Sequence, residues 1–266
     1  MALPVNGHCR ICGNEGRLSF EHVPPRKAFN DQPILLANVE RLRSGGHPDD
    51  YEKGGREQQK GVGVYTLCNR CNNNTGSWYG PAYVDFAKKG MEYVRASRSA
   101  GRFHLSLKIH PLRVIKQVIC MFMSINGPKF QSIQTELVRF VLNREAKHLP
   151  GHTRLFAFYS IGDRSRSSGV SGMMQGLGTE SFKSFVFSEI TFPPFGFVLS
   201  FNSTPPDNRL TDITHFADEF SYNEERVVWI QLPVLPIYTF YPGDYRDRET
   251  VLKDGEKSLA TEKQAE

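Results

Sequence analysis

Apolar and polar positions change period several times along the first hundred residues. Residues 9–20 read as a cysteine knuckle followed by a short strand, with Leu18 and Phe20 on one face. Pro24-Pro25 forbids a helix over Glu21-His22 and holds that stretch extended. Residues 30–61 are rich in Gly, Asp, Glu, Arg and Gln, which predicts a long polar insertion with one strand near 34–39. Residues 62–67 suit a strand. Residues 72–80 read as turns, and Pro81 reads as the first position of a helix with Tyr83, Phe86, Ala87, Met91 and Val94 on its core face. A boundary is expected near residues 97–102, where Ser, Arg and Gly cluster.

The rhythm changes beyond that point. Residues 103–109 alternate as a strand. Pro111 starts a helix with Leu112, Ile115, Val118, Ile119 and Phe122 on one side, and residues 136–143 suggest a second helix. Strand-like runs follow at 154–161, 182–188, 195–201, 227–232 and 236–240. Helices followed by runs of strands predict an α+β fold. From residue 247 the chain is charged and poor in large apolar residues, so a disordered tail is expected over 247–266. The predicted organisation is a small N-terminal domain over 1–100, a larger mixed α+β domain over 101–246, and that tail.

Composition narrows the classes. The 266-residue chain has 19 Phe and 10 Tyr with which to fill a core. Its longest apolar run, 118–125, is far too short to cross a bilayer. The N-terminal residues show no basic start followed by an apolar stretch, so a cytoplasmic protein is expected. Four of the five cysteines fall in two C-x-x-C pairs, the zinc pattern of a reducing compartment. The fifth, Cys120, sits in an apolar run and reads as an inert buried thiol. Residues 1–102 carry 15 Lys plus Arg against 10 Asp plus Glu, whereas residues 103–266 carry 18 of each. The whole positive excess lies with the cysteine pairs, which favours a polyanionic partner.

Cys9-x-x-Cys12 and Cys68-x-x-Cys71 frame one dipeptide, Glu21-His22. Four thiolates in tetrahedral array make a closed structural zinc site, and the polar insertion fits between the pairs. A neutral imidazole can take a proton from water near pH 7, and a carboxylate can hold Mg²⁺ or a similar hard ion by oxygen. Adjacent residues of a strand point to opposite faces, so Glu21 and His22 share a direction only if the strand bends.

The order C-x-x-C, Glu-His-x-x-Pro, Leu-Cys-x-x-Cys-Asn resembles the HNH family of nucleases, built on a ββα-metal, treble-clef-like core. The match covers roughly residues 9–80. The resemblance implies structural zinc on Cys9, Cys12, Cys68 and Cys71. It also implies a catalytic Mg²⁺ or other divalent ion on Glu21 and Asn72, and His22 as the general base. The implied activity is metal-dependent endonucleolytic hydrolysis of DNA, with RNA as second choice. Bacterial nucleases of this type often serve phage defence or restriction. Many members carry an Asn five residues before the third cysteine, where this chain has Gly63. Another residue (Asn73, Asn74, His47 or Asp49) or a backbone carbonyl must then orient His22.

Rival roles exist for each residue. His22 also suits a structural histidine or an extra zinc ligand, and Asn72 to Asn74 suit turn or cap chemistry. Arg26, Lys27 and Arg70 are candidate nucleic-acid contacts or plain solvated surface. Trp78 and Tyr79 favour packing over base stacking. Arg164-Ser165-Arg166 reads as a mobile polar loop, and His148 and His152 have no metal-like spacing. The alternative function is a non-catalytic zinc-binding module recognising nucleic acid or protein. Residues 101–246 are expected to recruit, regulate or oligomerise the nuclease, through a partner protein or a second copy, or to sense a ligand that switches it on, and no membrane contact is expected.

Overall fold

The computed structural model describes residues 4–36, 55–96, 101–175 and 183–265. The chain begins with β1 (Asn6–His8), β2 (Glu15–His22), β3 (Ile34–Leu36), β4 (Arg56–Gln58) and β5 (Gly63–Cys68). β1, β2 and β5 form an antiparallel sheet in that order, and β3 pairs with β4. The strand expected around Leu18 and Phe20 is therefore present and runs on through the extended Glu21-His22, the strand expected at 62–67 is present as β5, and Pro24-Pro25 comes one residue after β2. Of the strand expected near 34–39, residues 37–39 lie outside the described residues.

Helix α1 (Asn69–Ala96) begins earlier than the sequence predicts. The asparagine- and glycine-rich residues 72–80 are helical, and Pro81 lies inside the helix. Packing overrides propensity here, because Cys71, Thr75, Tyr79, Ala82, Tyr83 and Phe86 form one buried stripe at helical spacing. Pro81 removes a bond to the carbonyl of Ser77, and both residues are exposed, so the break falls on the solvent side of the helix.

β6 (Arg102–Ile109) and α2 (Pro111–Ile125) follow as read, with Pro111 at the helix start. α2 is apolar on nearly every side and buried from 114 to 124, the pattern of a central core helix. Short helices α3 (Phe130–Ile133) and α4 (Thr135–Leu142) come next. They are followed by β7 (Thr153–Tyr159), β8 (Arg166–Gln175), β9 (Lys183–Phe192), β10 (Phe195–Phe201), β11 (Thr211–Asp212), α5 (His215–Asp218) and β12 (Arg226–Pro233). The main sheet is antiparallel in the order β11-β7-β10-β9-β8, and β12 pairs with β6. The fold is a mixture of α and β, as expected.

All seven residues of β10 are buried because both faces of the sheet are covered. Leu155, Tyr159, Phe195, Phe197 and Leu199 share a core with α1 and α2. Phe156, Phe158, Phe187 and Val198 pack with Leu235 and Tyr245 on the other side. The first core also contains Cys9, Ile11, Leu67 and Cys71, so it runs without a break past the boundary expected near 97–102. At the join, Phe86 of α1 stacks on Phe195 with ring centroids 4.2 Å apart, and Tyr159 donates to the Gly90 carbonyl at 3.0 Å. A side chain at position 90 would collide with the Phe195 ring.

Three expectations need correction. The residues from Arg166 onward form β8, an arm the sequence hid behind serines and glycines. Arg166 itself is buried and ion-paired to Glu189 at 2.8 Å. Residues 236–240 form no strand; their carbonyls instead accept from Arg164 (Tyr238 O, 2.5 Å) and Arg166 (Thr239 O, 2.8 Å). The expected disordered tail contains helix α6 (Arg248–Ala265). Its first turns carry a Lys253–Glu249 pair and an Arg246–Asp254 pair, each 2.7 Å, so local charge pairing supports the start of the helix, where Leu252 is exposed.

Candidate functional site

The four cysteines come together from three elements. Cys9 and Cys12 sit in the turn between β1 and β2, tightened where Gly13 N donates to Cys9 O at 2.8 Å with Gly13 at φ +76°. Arg10 N donates to Thr66 O at 2.9 Å and ties this turn to β5. Cys68 ends β5 and Cys71 stands in the first turn of α1. All four sulfurs lie within 4.8 Å of one another, the only such group of metal-ligating side chains among the described residues. Cys12 and Cys68 sulfurs are 3.9 Å apart, close to the spacing of about 3.8 Å that tetrahedral Zn–S bonds of ~2.3 Å impose.

The protonation pattern fits a cation. The Cys71 thiol donates to Cys9, and backbone N–H groups of Cys68, Cys12 and Ile11 add to this, holding Cys9 at a pKa of about 4. The same contact, burial and the charge on Cys9 push Cys71 far up. Burial likewise raises Cys12. The four-cysteine cluster could hold a metal such as zinc.

β2 presents Glu21 and His22 to opposite sides, as strand geometry demands. Glu21 faces inward, 7% exposed, and burial alone pushes its carboxyl up to about 7. Its carboxylate has no hydrogen-bond partner among the described residues. Asn72, in α1, donates its amide to Ser19 Oγ at 3.0 Å and to Phe20 O at 3.1 Å. That pins it beside the backbone one residue before Glu21 and leaves its Oδ1 open as an acceptor.

His22 faces outward and is half-buried. Its Nε2 lies 3.0 Å from the Lys60 carbonyl, which can only accept, so Nε2 carries the proton and the Nδ1 lone pair is free. Burial lowers its pKa below the ordinary histidine value, and the nearby charge of Arg26 adds to this. A backbone carbonyl thus orients His22, one of the two solutions the sequence left open. Asn73 and Asn74 make no bond to it, and His47 and Asp49 lie outside the described residues.

Gly63 pairs with His22 across the β2–β5 ladder. A Cβ at 63 would lie 2.5 Å from the Glu21 carbonyl and run into the tip of the Phe20 ring. No asparagine fits there. The loop before it is held instead by Asn30, 1% exposed, whose amide donates to Pro24 O (2.6 Å) and Val62 O (2.7 Å) and whose Oδ1 accepts from Val62 N (2.6 Å). Sequence reasoning missed Asn30. Nothing in its immediate neighbours separates it from the other asparagines; only the fold makes it the clasp between the Pro24-Pro25 turn and the segment that carries Lys60.

Arg26, Lys27 and Arg70 are all exposed, and Arg26 is the one near enough to His22 to influence it. Tyr79 is fully buried, donating to Val141 O at 2.8 Å, and Trp78 is half-buried beside Arg144. Cys120 is fully buried and burial raises its pKa, in keeping with an inert thiol. No helix among the described residues is long and apolar enough to cross a membrane. No family model, no curated protein and no solved structure matches this chain.

Proposed function

We propose that the chain is a metal-dependent endonuclease of HNH type that hydrolyses phosphodiester bonds of DNA. The observation that carries this reading is His22, kept neutral by burial with Nε2 fixed on the Lys60 carbonyl and Nδ1 turned outward as a free base. Glu21 and Asn72 Oδ1 offer hard oxygen ligands, but strand geometry turns Glu21 to the face opposite His22, so an ion held there reaches the same phosphate only once β2 bends ahead of Pro24-Pro25. In that bent form Mg²⁺ or another divalent ion would supply charge neutralisation at the phosphate. His22 Nδ1 takes a proton from water, and the water oxygen attacks phosphorus as the P–O bond to the leaving sugar oxygen breaks. Arg26 places positive charge beside the phosphate. The four cysteines hold structural zinc, which fixes the β1–β2 turn to α1 and so sets β2 in place.

Plasmid nicking with Mg²⁺, Mn²⁺ or Ni²⁺ tests this reading. His22→Ala should lower cleavage by about 10² to 10⁴-fold while the melting temperature and zinc content stay unchanged. Full activity in that variant would sink the mechanism. The burial of Glu21 favours a second reading, a non-catalytic zinc-stapled module that binds nucleic acid or protein. Binding of DNA with no cleavage under any of the three ions would select it.

A further inference from the structure

The outer face of β2 and β5 carries an aromatic row that ends at His22. Phe20 touches His22 edge-on, with ring centroids 4.9 Å apart and planes at 87°. On its other side Phe20 touches Tyr65 at 5.3 Å and 68°. Gly63, lacking a side chain, leaves the space into which the Phe20 ring extends. Tyr65 is 47% exposed in the middle of a paired strand, and its hydroxyl has no hydrogen-bond partner among the described residues. Half-buried Phe20, directly opposite in the ladder, packs its ring against one side of Tyr65 and leaves the rest of that ring to solvent. Exposed Arg26 brings positive charge to the His22 end of the row, and exposed Lys60 belongs to the segment whose carbonyl holds His22.

A flat, rigid, solvent-facing ring beside a positive surface is the arrangement that stacks a nucleobase. In an intact duplex both faces of each base are covered by its neighbours. A strand-mounted Tyr65 can cover only a base that has left that stack. We infer that Tyr65 holds one unpaired base next to the phosphate at His22, so that the substrate is single-stranded or locally melted nucleic acid rather than intact duplex. This rests on the nuclease reading for its placement of the phosphate. It goes beyond that reading in assigning the strand state of the substrate and the residue that selects it.

The test measures binding and cleavage separately. The full chain carrying His22→Ala is titrated against a fluorescent oligo-dT strand and against a duplex of equal length, at one salt concentration. The single strand should bind more tightly. Adding Tyr65→Ala should weaken single-strand binding by about 5- to 150-fold and leave duplex binding unchanged, with Tyr65→Phe retaining affinity. Tyr65→Leu, which keeps the bulk of the ring but not its π-face, should behave like Tyr65→Ala. Equal loss on both substrates, loss in Tyr65→Phe, or no loss in Tyr65→Leu would overturn the assignment. If the wild-type chain cuts nothing yet binds single strands through Tyr65, the stacking site stands and the nuclease reading falls. If it cuts duplex and single strand equally well with Tyr65→Leu, the reverse holds.

Discussion

Two glutamates are buried among the described residues, and they are treated in opposite ways. Glu189, in the five-stranded sheet, is 0% exposed and accepts from Arg166 (2.8 Å), Thr191 Oγ1 (2.9 Å) and Gly243 N (2.7 Å). Glu21, in the strand pair beside the cysteines, is 7% exposed and has none of these partners. A buried charge that is paired and hydrogen-bonded belongs to the architecture, whereas an unpaired carboxyl favours its neutral form and costs stability when it ionises. The same contrast extends outward. Around Glu189 the C-terminal segment is stitched down by arginines. In the β2–β5 region the Asn72 amide oxygen, and on the outer face the His22 Nδ1 and the Tyr65 ring, are all left open.

The sharpest way to separate the two regions is to remove the metal site. Cys68→Ser should abolish tight zinc binding, whose contribution in small zinc domains is on the order of 10 kcal/mol. Hydrogen exchange should then show β1, β2 and β5 losing protection while β7, β9 and β10 keep theirs. Uniform loss across both sheets would break the comparison.

Next in size, Glu189→Ala leaves the Arg166 guanidinium buried without its partner, and should cost about 3–5 kcal/mol in a urea melt. A cost under about 1 kcal/mol would show that the pair is not structural.

Glu21→Gln should go the other way. Its folded-state pKa of about 7 lies above the ordinary value of 4.5, so the native state holds the proton more tightly than the unfolded chain does. Stability from this group is complete below pH 4.5 and falls as pH rises from 4.5 to 7, by about 3 kcal/mol at most. Without added divalent ion, Glu21→Gln should match the wild type at pH 4.5 and exceed it at pH 8. A variant less stable than the wild type at pH 8 would mean that Glu21 has a stabilising partner after all.

Much of this was legible in the sequence, unevenly. The C-x-x-C pairs, the apolar face of α2 and the limits of β10 follow from spacing and burial period alone. The N-terminal turns of α1 did not, because Asn and Gly argue against a helix and only the packing of Cys71, Thr75 and Tyr79 decides for one. β8 and Arg166 were hidden because a strand made of Ser, Gly and Met lacks the β-branched signature. At the site, Glu21, His22 and Asn72 were visible as residue types. The opposite facing of Glu21 and His22 followed from strand period; their partners did not, and neither did Asn30 and Tyr65, whose roles arise from partners far away in the chain.

The stack of Phe86 on Phe195, with Gly90 admitting it, bears on how the protein can be handled. The cysteine-bearing part is not a portable cassette. A cut near residue 100 would lay bare the inner stripe of α1, strip the Arg10 guanidinium of its 2.7 Å bond to the Ser124 carbonyl, and leave an aggregation-prone fragment. Grafting these knuckles onto another scaffold would require carrying α2 and β10 along with them.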